Sequence, residues 1–149
     1  MASICHNASP VAGVVGLSVP CVESSASSHL KTILLVEDQD VCRITTKWLL
    51  ANFGYRVVPT RSAEAALALF APETHDVIIT DNDLAGLSGL ELAHIIKLRS
   101  PSTPVIMYTG QPPADLSSLD WVIEKSANLL TLKEAIDKAI AARHSATGH

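Results

Sequence analysis

Aromatic side chains make up only 4% of these 149 residues, so any core must be assembled mainly from Val, Ile, Leu and Ala. Cysteine is just as scarce. Cys5, Cys21 and Cys42 form an odd set with no C-x-x-C spacing, which excludes a disulfide framework and a zinc knuckle and fits a reducing compartment. Cys42 falls in a helical pattern and reads as a small buried hydrophobe. Positive charge is limited as well: the net charge is −4 with no basic stripe, which argues against a nucleic-acid surface. No apolar run reaches the roughly twenty residues of a membrane span. The longest near the N-terminus, Val11 to Val19, is broken by Gly13, Gly16 and Ser18, and no Lys or Arg precedes it as in an export signal. P-loop, dinucleotide glycine fingerprint and nucleophile elbow are all missing. No pair among the six histidines has i, i+4 ligand spacing, and His75 and His94 read as surface residues. These absences leave a cytoplasmic chain of one domain's length, with neither membrane nor nucleic acid as partner.

What is present divides into three parts. Residues 1–29 carry one formal charge, Glu23, show neither strand nor helix period, and end in a Ser-rich stretch, as a flexible leader does. Residues 30–143 alternate short β-branched runs with helical stretches, and 144–149 form a tail. The pattern predicts strands at Thr32–Val36, Tyr55–Pro59, Asp76–Thr80, Pro104–Tyr108 and Trp121–Ile123. Helices are predicted at Asp40–Asn52, Ser62–Phe70, Gly89–Leu98 and Leu129–Ala142. Val41, Ile44, Thr45, Trp48 and Leu49 form the expected inward stripe of the first helix, and Ala65, Ala66 and Leu69 that of the second. Thr131-x-x-Glu134 offers a capping box slightly inside the last. Uninterrupted apolar strands alternating with helices imply a doubly wound α/β fold, its five-stranded parallel sheet covered on both faces.

Ligands in such sheets sit beyond the carboxyl ends of the strands. Glu37 and Asp38 follow the first strand, Asp81 the third with Asn82 and Asp83 behind it, Thr109 the fourth, and Glu124 with Lys125 the fifth. Each alone is an ordinary turn or surface residue. Together they put carboxylates, a hydroxyl and an ammonium on one edge. Gathered carboxylates repel unless a cation intervenes. Oxygen-only ligands from Glu37, Asp38 and Asp81 suit a hard ion such as Mg²⁺. A carboxylate can also accept a phosphoryl group, a transfer that needs mainly alignment and neutralisation of the phosphoryl oxygens. Lys125 and the Thr109 hydroxyl supply the remaining neutralisation and a hydrogen bond.

These residues resemble the CheY-like receiver domain of two-component response regulators from about Lys31 to Ala142. The likeness rests on Ile33-Leu34-Leu35-Val36-Glu37-Asp38, Asp76 to Asp81, Gly89-Leu90-Glu91-Leu92, Val105 to Gly110, and Glu124-Lys125. The resemblance implies flavodoxin-like strand order 2-1-3-4-5 and Asp81 as phosphoacceptor. It implies Glu37 and Asp38 as metal carboxylates, Asp83 as a carbonyl ligand, Thr109 as the switch hydroxyl and Lys125 as the phosphate-facing ammonium. A histidine kinase or histidine phosphotransfer protein would be the donor, docking near the first helix, and a downstream protein the reader. It implies no metabolic enzyme, only self-phosphorylation and slow loss of the phosphoryl group.

Departures from the family pattern carry further expectations. Leu84-Ala85 stands where Met-Pro is usual, and Ser126 where a cis proline follows the lysine, so a trans bond is predicted there. Only Gln111 to Glu124 separates Thr109 from Lys125, and Gln111-Pro112-Pro113 resists a helix start, so the fourth helix is expected to be short or absent. Val122 takes the place of a switch aromatic, while Trp121 points to the other face. Two alternatives remain at this stage. One is a degenerate receiver that binds partners without phosphorylation. The other is a haloacid-dehalogenase-like phosphatase using Asp81-Asn82-Asp83, disfavoured because its nucleophile would follow the first strand.

Overall fold

The computed structural model describes residues 30–147, and the expected leader lies outside the described residues. In chain order the elements are β1 (Thr32–Val36), α1 (Asp40–Asn52), β2 (Arg56–Thr60), α2 (Ala63–Leu69), β3 (Val77–Thr80), α3 (Gly89–Arg99), β4 (Val105–Thr109), β5 (Trp121–Glu124) and α4 (Leu129–Thr147). The strands form one sheet in the order β2-β1-β3-β4-β5, every pair parallel, as expected. Central β1 is buried at every position, which is why its sequence is apolar without alternation.

Strand alternation feeds two cores. Ile33, Leu35, Ile79, Ile106 and Ile123 face α4 (Leu132, Ile136, Ile140) and Leu50 of α1. Leu34, Val36, Ile78 and Val105 face α2 (Ala63, Ala66) and α3 (Leu92, Ala93, Ile96). Ser88 starts α3 with a full capping box: its hydroxyl accepts from Glu91 N, and the Glu91 carboxylate accepts from Ser88 N.

No helix forms between β4 and β5, in line with the two prolines. The crossover is anchored instead by Asp120, whose Oδ2 accepts from Val105 N (2.8 Å) and pairs with Lys97 Nζ (2.7 Å). The bond before Ser126 is trans, as predicted.

Five expectations need correction. In α1 the buried residues are Arg43, Thr46 and Leu50, while Val41, Ile44 and Trp48 are 76%, 63% and 66% exposed. The helix is rotated because Arg43 turns inward: its Nη1 donates to Glu37 O (3.1 Å) and its Nη2 pairs with Asp40 (2.5 Å). Polar anchoring and a single deep Leu50 outweigh the larger apolar stripe. Cys42 is accordingly half-buried at the margin rather than in the core. In α2 the inward residues are Ala63 and Ala66, with Ala65 and Leu69 exposed, because small residues at i, i+3 let the short helix lie close on the sheet. His75 is buried, stacked on Phe70 with Nδ1 accepting from Ala71 N (3.1 Å). Lastly, α4 runs past Ala142 to Thr147, and Asn128 caps its start by accepting from Leu130 N (2.8 Å), ahead of the expected Thr131 box.

Candidate functional site

Parallel register alone brings the edge residues together. Glu37 N donates to Thr60 O (3.0 Å) and Asp81 N to Val36 O (3.1 Å), so both carboxylates leave the sheet in ladder geometry. Lys125 N donates to Thr109 O (2.9 Å), which extends the β4–β5 pairing to the lysine. The Lys125 ammonium then bridges Glu37 Oε2 (2.5 Å) and Asp81 Oδ2 (2.9 Å). Their remaining oxygens are held by backbone. Gln39 N donates to Glu37 Oε1 (3.2 Å), while Asn82 N (2.6 Å) and Asp83 N (3.3 Å) donate to Asp81 Oδ1.

The environment fixes the charges. Glu37 is 3% exposed and Asp81 9% exposed. Burial pushes the Asp81 carboxyl up, but the Lys125 ammonium, the Thr109 hydroxyl and the Asp83 N–H outweigh it and hold it below the ordinary carboxylate range. Burial likewise pulls Lys125 down, and Glu37 and Asp81 more than compensate, so its pKa lies above the usual lysine value. Asp81 is therefore an ionised carboxylate at neutral pH. It lies in the wall of an open cleft of about 760 Å³, with Thr109, Gln111, Asn82, Cys42 and Lys125 around it.

The structure thus assembles Glu37, Asp81, Thr109 and Lys125. Asp38 stands beside them half-buried, with no hydrogen bond among the described residues. The Asp83 side chain is exposed and contributes its N–H to Asp81. The Thr109 hydroxyl, on a residue 1% exposed, accepts from Gln111 N (3.2 Å). Among the described residues no three His, Cys, Asp or Glu side chains are grouped closely enough to hold a metal ion. The donor chemistry still fits Mg²⁺. Every candidate ligand is a hard oxygen, and Glu37 and Asp81 already share one cation, the Lys125 ammonium.

Two residues whose part in the site sequence reasoning missed support it. Arg43 braces the Glu37 carbonyl. Gly89 lets α3 start against the Asp81 turn, since a Cβ there would stand 2.0 Å from Asp81 O. Gly89 was legible in principle, as a glycine directly behind a Ser N-cap. Arg43 carried no such signal.

Comparison with known proteins agrees with this geometry. Residues 33–142 match the response regulator receiver domain model. A cyclic di-GMP phosphodiesterase of Thermotoga maritima is 31% identical over 75% of this chain, and the sensor histidine kinase AruS of Pseudomonas aeruginosa is 32% identical over 85%. The chain spans 32% and 13% of those two proteins' lengths. Among solved structures, a receiver domain protein from Clostridium thermocellum is 27% identical with a TM-score of 0.73, covering 79% of this chain and all of its own. The response regulator TrrA of Thermotoga maritima, in complex with Mg²⁺-BeF, is 30% identical with a TM-score of 0.70, covering 74% of this chain and 99% of its own. Edge site, strand order and matched span agree, and the chain belongs to the response regulator receiver domains of two-component signalling.

Proposed function

We propose that Asp81 accepts a phosphoryl group from a phosphohistidine of a histidine kinase or phosphotransfer protein, and that the domain signals by protein–protein contact. The observation that carries this reading is the ionised Asp81 carboxylate, backbone-held on one oxygen and paired with Lys125 on the other, facing an open cleft. A carboxylate oxygen attacks phosphorus as the P–N bond to the donor imidazole breaks, and the released electron pair stays on that nitrogen, which takes a proton from solvent so that the donor histidine leaves as neutral imidazole. The Lys125 ammonium would follow the negative charge onto a phosphoryl oxygen, a reading its ion pairs with Glu37 and Asp81 support. The Thr109 hydroxyl, freed from the Gln111 backbone, donates to another. Glu37, Asp38 and Asp81, with the Asp83 carbonyl, would hold Mg²⁺, which when bound neutralises phosphoryl charge.

Donor docking on α1 fits the exposure of Val41, Ile44 and Trp48, since Val41, Cys42 and Leu49 border a second hollow shared with Tyr108 and Lys125. This chemistry is stoichiometric acceptance with slow loss, in a cytoplasmic setting, rather than metabolite turnover. Among the described residues, no helix is long and apolar enough to cross a membrane.

The test is intact-mass analysis after incubation with Mg²⁺ and acetyl phosphate. Wild type should gain one phosphoryl mass and Asp81→Ala none. Absence of any Asp81-dependent adduct, here and with beryllofluoride, would leave the degenerate receiver standing, and steady release of phosphate from phosphomonoesters would favour the phosphatase.

A further inference from the structure

Among the described residues, the helix-free crossover leaves one surface without a helix over it. On the other sheet face α4 lies against β3, β4 and β5, whereas on the α2/α3 face no further helix follows α3 among the described residues. The outer side of α3 and the β4–β5 loop instead enclose a groove of about 380 Å³. Leu87, Leu90 and Ile95 form its apolar wall, all half-buried. Leu98, 76% exposed, continues that side of α3 by another turn. The loop is tied to the helix where His94 Nδ1 meets Ser118 Oγ at 2.9 Å, so the groove has a built width. Its charged lining is acidic, Glu91 on the helix and Asp115 on the loop, and among the described residues no Lys or Arg lines it.

We propose that this groove is a docking site for an amphipathic helix of a partner protein, its apolar side chains entering between α3 and the loop and its Lys or Arg side chains meeting Glu91 and Asp115. A helix laid in such a groove presents apolar anchors at i, i+3 and i+7, which would meet the wall formed by Leu87, Leu90 and Ile95. The acidic rim selects the sign of the partner's charge, and it opposes a second copy of this chain, whose identical groove would bring carboxylates against carboxylates. Docking here goes beyond phosphoryl acceptance and does not require Asp81 to be modified, so the two readings stand or fall separately.

Fluorescence anisotropy of the full chain with two labelled synthetic peptides of roughly 14 residues tests this. Both carry Leu at i, i+3 and i+7, one flanked by Lys and one by Glu. The Lys peptide is expected to bind at least roughly fivefold more tightly, as two exposed charge pairs allow. Leu90→Glu should abolish binding. Asp115→Lys combined with Glu91→Gln, which keeps the capping box, should invert the preference without touching the core. Equal affinity for the two peptides, no binding of either, or wild-type affinity in both variants would overturn the proposal. So would self-association in sedimentation that Leu90→Glu removes, because it assigns the groove to a second copy.

Discussion

Replacing Lys125 by Met should cost far more stability than removing Asp81, although Asp81 is the chemically special residue. Lys125 is the cation for both Glu37 and Asp81, at 2.5 and 2.9 Å, and the two carboxylate side chains are 4% and 10% exposed. Removing one partner of a buried pair costs about 3–5 kcal/mol. The Lys125 side chain is itself 27% exposed, so water screens part of the interaction and about 2–4 kcal/mol is expected. For a domain of this size that is a fall in Tm of roughly 8–16 °C. Asp81→Asn leaves Lys125 bound to Glu37 and should stay within about 1 kcal/mol of wild type. Combining the two should recover much of the loss, since only one buried carboxylate then lacks a cation. Chemical denaturation of all four proteins with EDTA, repeated with Mg²⁺, is the assay. Mg²⁺ should stabilise Lys125→Met more than wild type, where the ion must displace the ammonium. If Lys125→Met unfolds together with wild type in EDTA, or Mg²⁺ stabilises both equally, the shared-cation account of the site is wrong.

Three further perturbations follow from the same geometry. Trp48→Ala, at a position 66% exposed, should change stability by less than about 0.5 kcal/mol and leave acetyl phosphate labelling intact, yet slow transfer from a protein phosphodonor measured by radiolabel. Burial holds the His75 imidazole below its ordinary pKa, so the unfolded chain binds its proton more readily. Stability is then full above the unfolded value of about 6.5 and is lost as pH falls below it; His75→Asn should flatten that slope in urea titrations at graded pH. Gly89→Ala drives a Cβ into the Asp81 carbonyl and should cost about 2–3 kcal/mol and reduce labelling of Asp81, while Gly110→Ala, with open space around it, should do neither; thermal melts and intact mass read both.

The strands and their edge were legible because both depend on runs of sequence. Uninterrupted Ile33-Leu34-Leu35-Val36 and Val77-Ile78-Ile79-Thr80, short and rich in β-branched residues, read as strands buried on two faces, and the next residue along each, Glu37 or Asp81, emerges at the carboxyl edge. The missing helix between β4 and β5 was legible from Pro112 and Pro113 for the same local reason. Helix faces were not. In α1 the largest apolar residues point outward because a buried Arg43 fixes the rotation through the Glu37 carbonyl, a contact that no periodicity encodes. Burial of His75 depends on Phe70 and on the Ala71 N–H, partners set by the turn before β3. The site's reliance on Gly89 is a close approach between two loops, visible only once α3 is placed.

Loss of the helical crossover and retention of the site are compatible because they depend on different ends of β5. At its carboxyl end, Lys125 is positioned by the Thr109 carbonyl and by two carboxylates from β1 and β3, and the crossover supplies none of these groups. At its amino end, Asp120 closes the loop onto Val105 and Lys97, doing with one carboxylate what a packed helix would do with an apolar face. The Thr109 hydroxyl is where the two ends meet, since its partner Gln111 opens the crossover. A phosphoryl group that drew this hydroxyl away would release the first turn of the loop, and the same loop carries Asp115 and Ser118 to the groove beside α3. A Thr109 hydroxyl drawn to a phosphoryl group would act first on this loop, whose far contact is the His94–Ser118 pair beside the α3 groove.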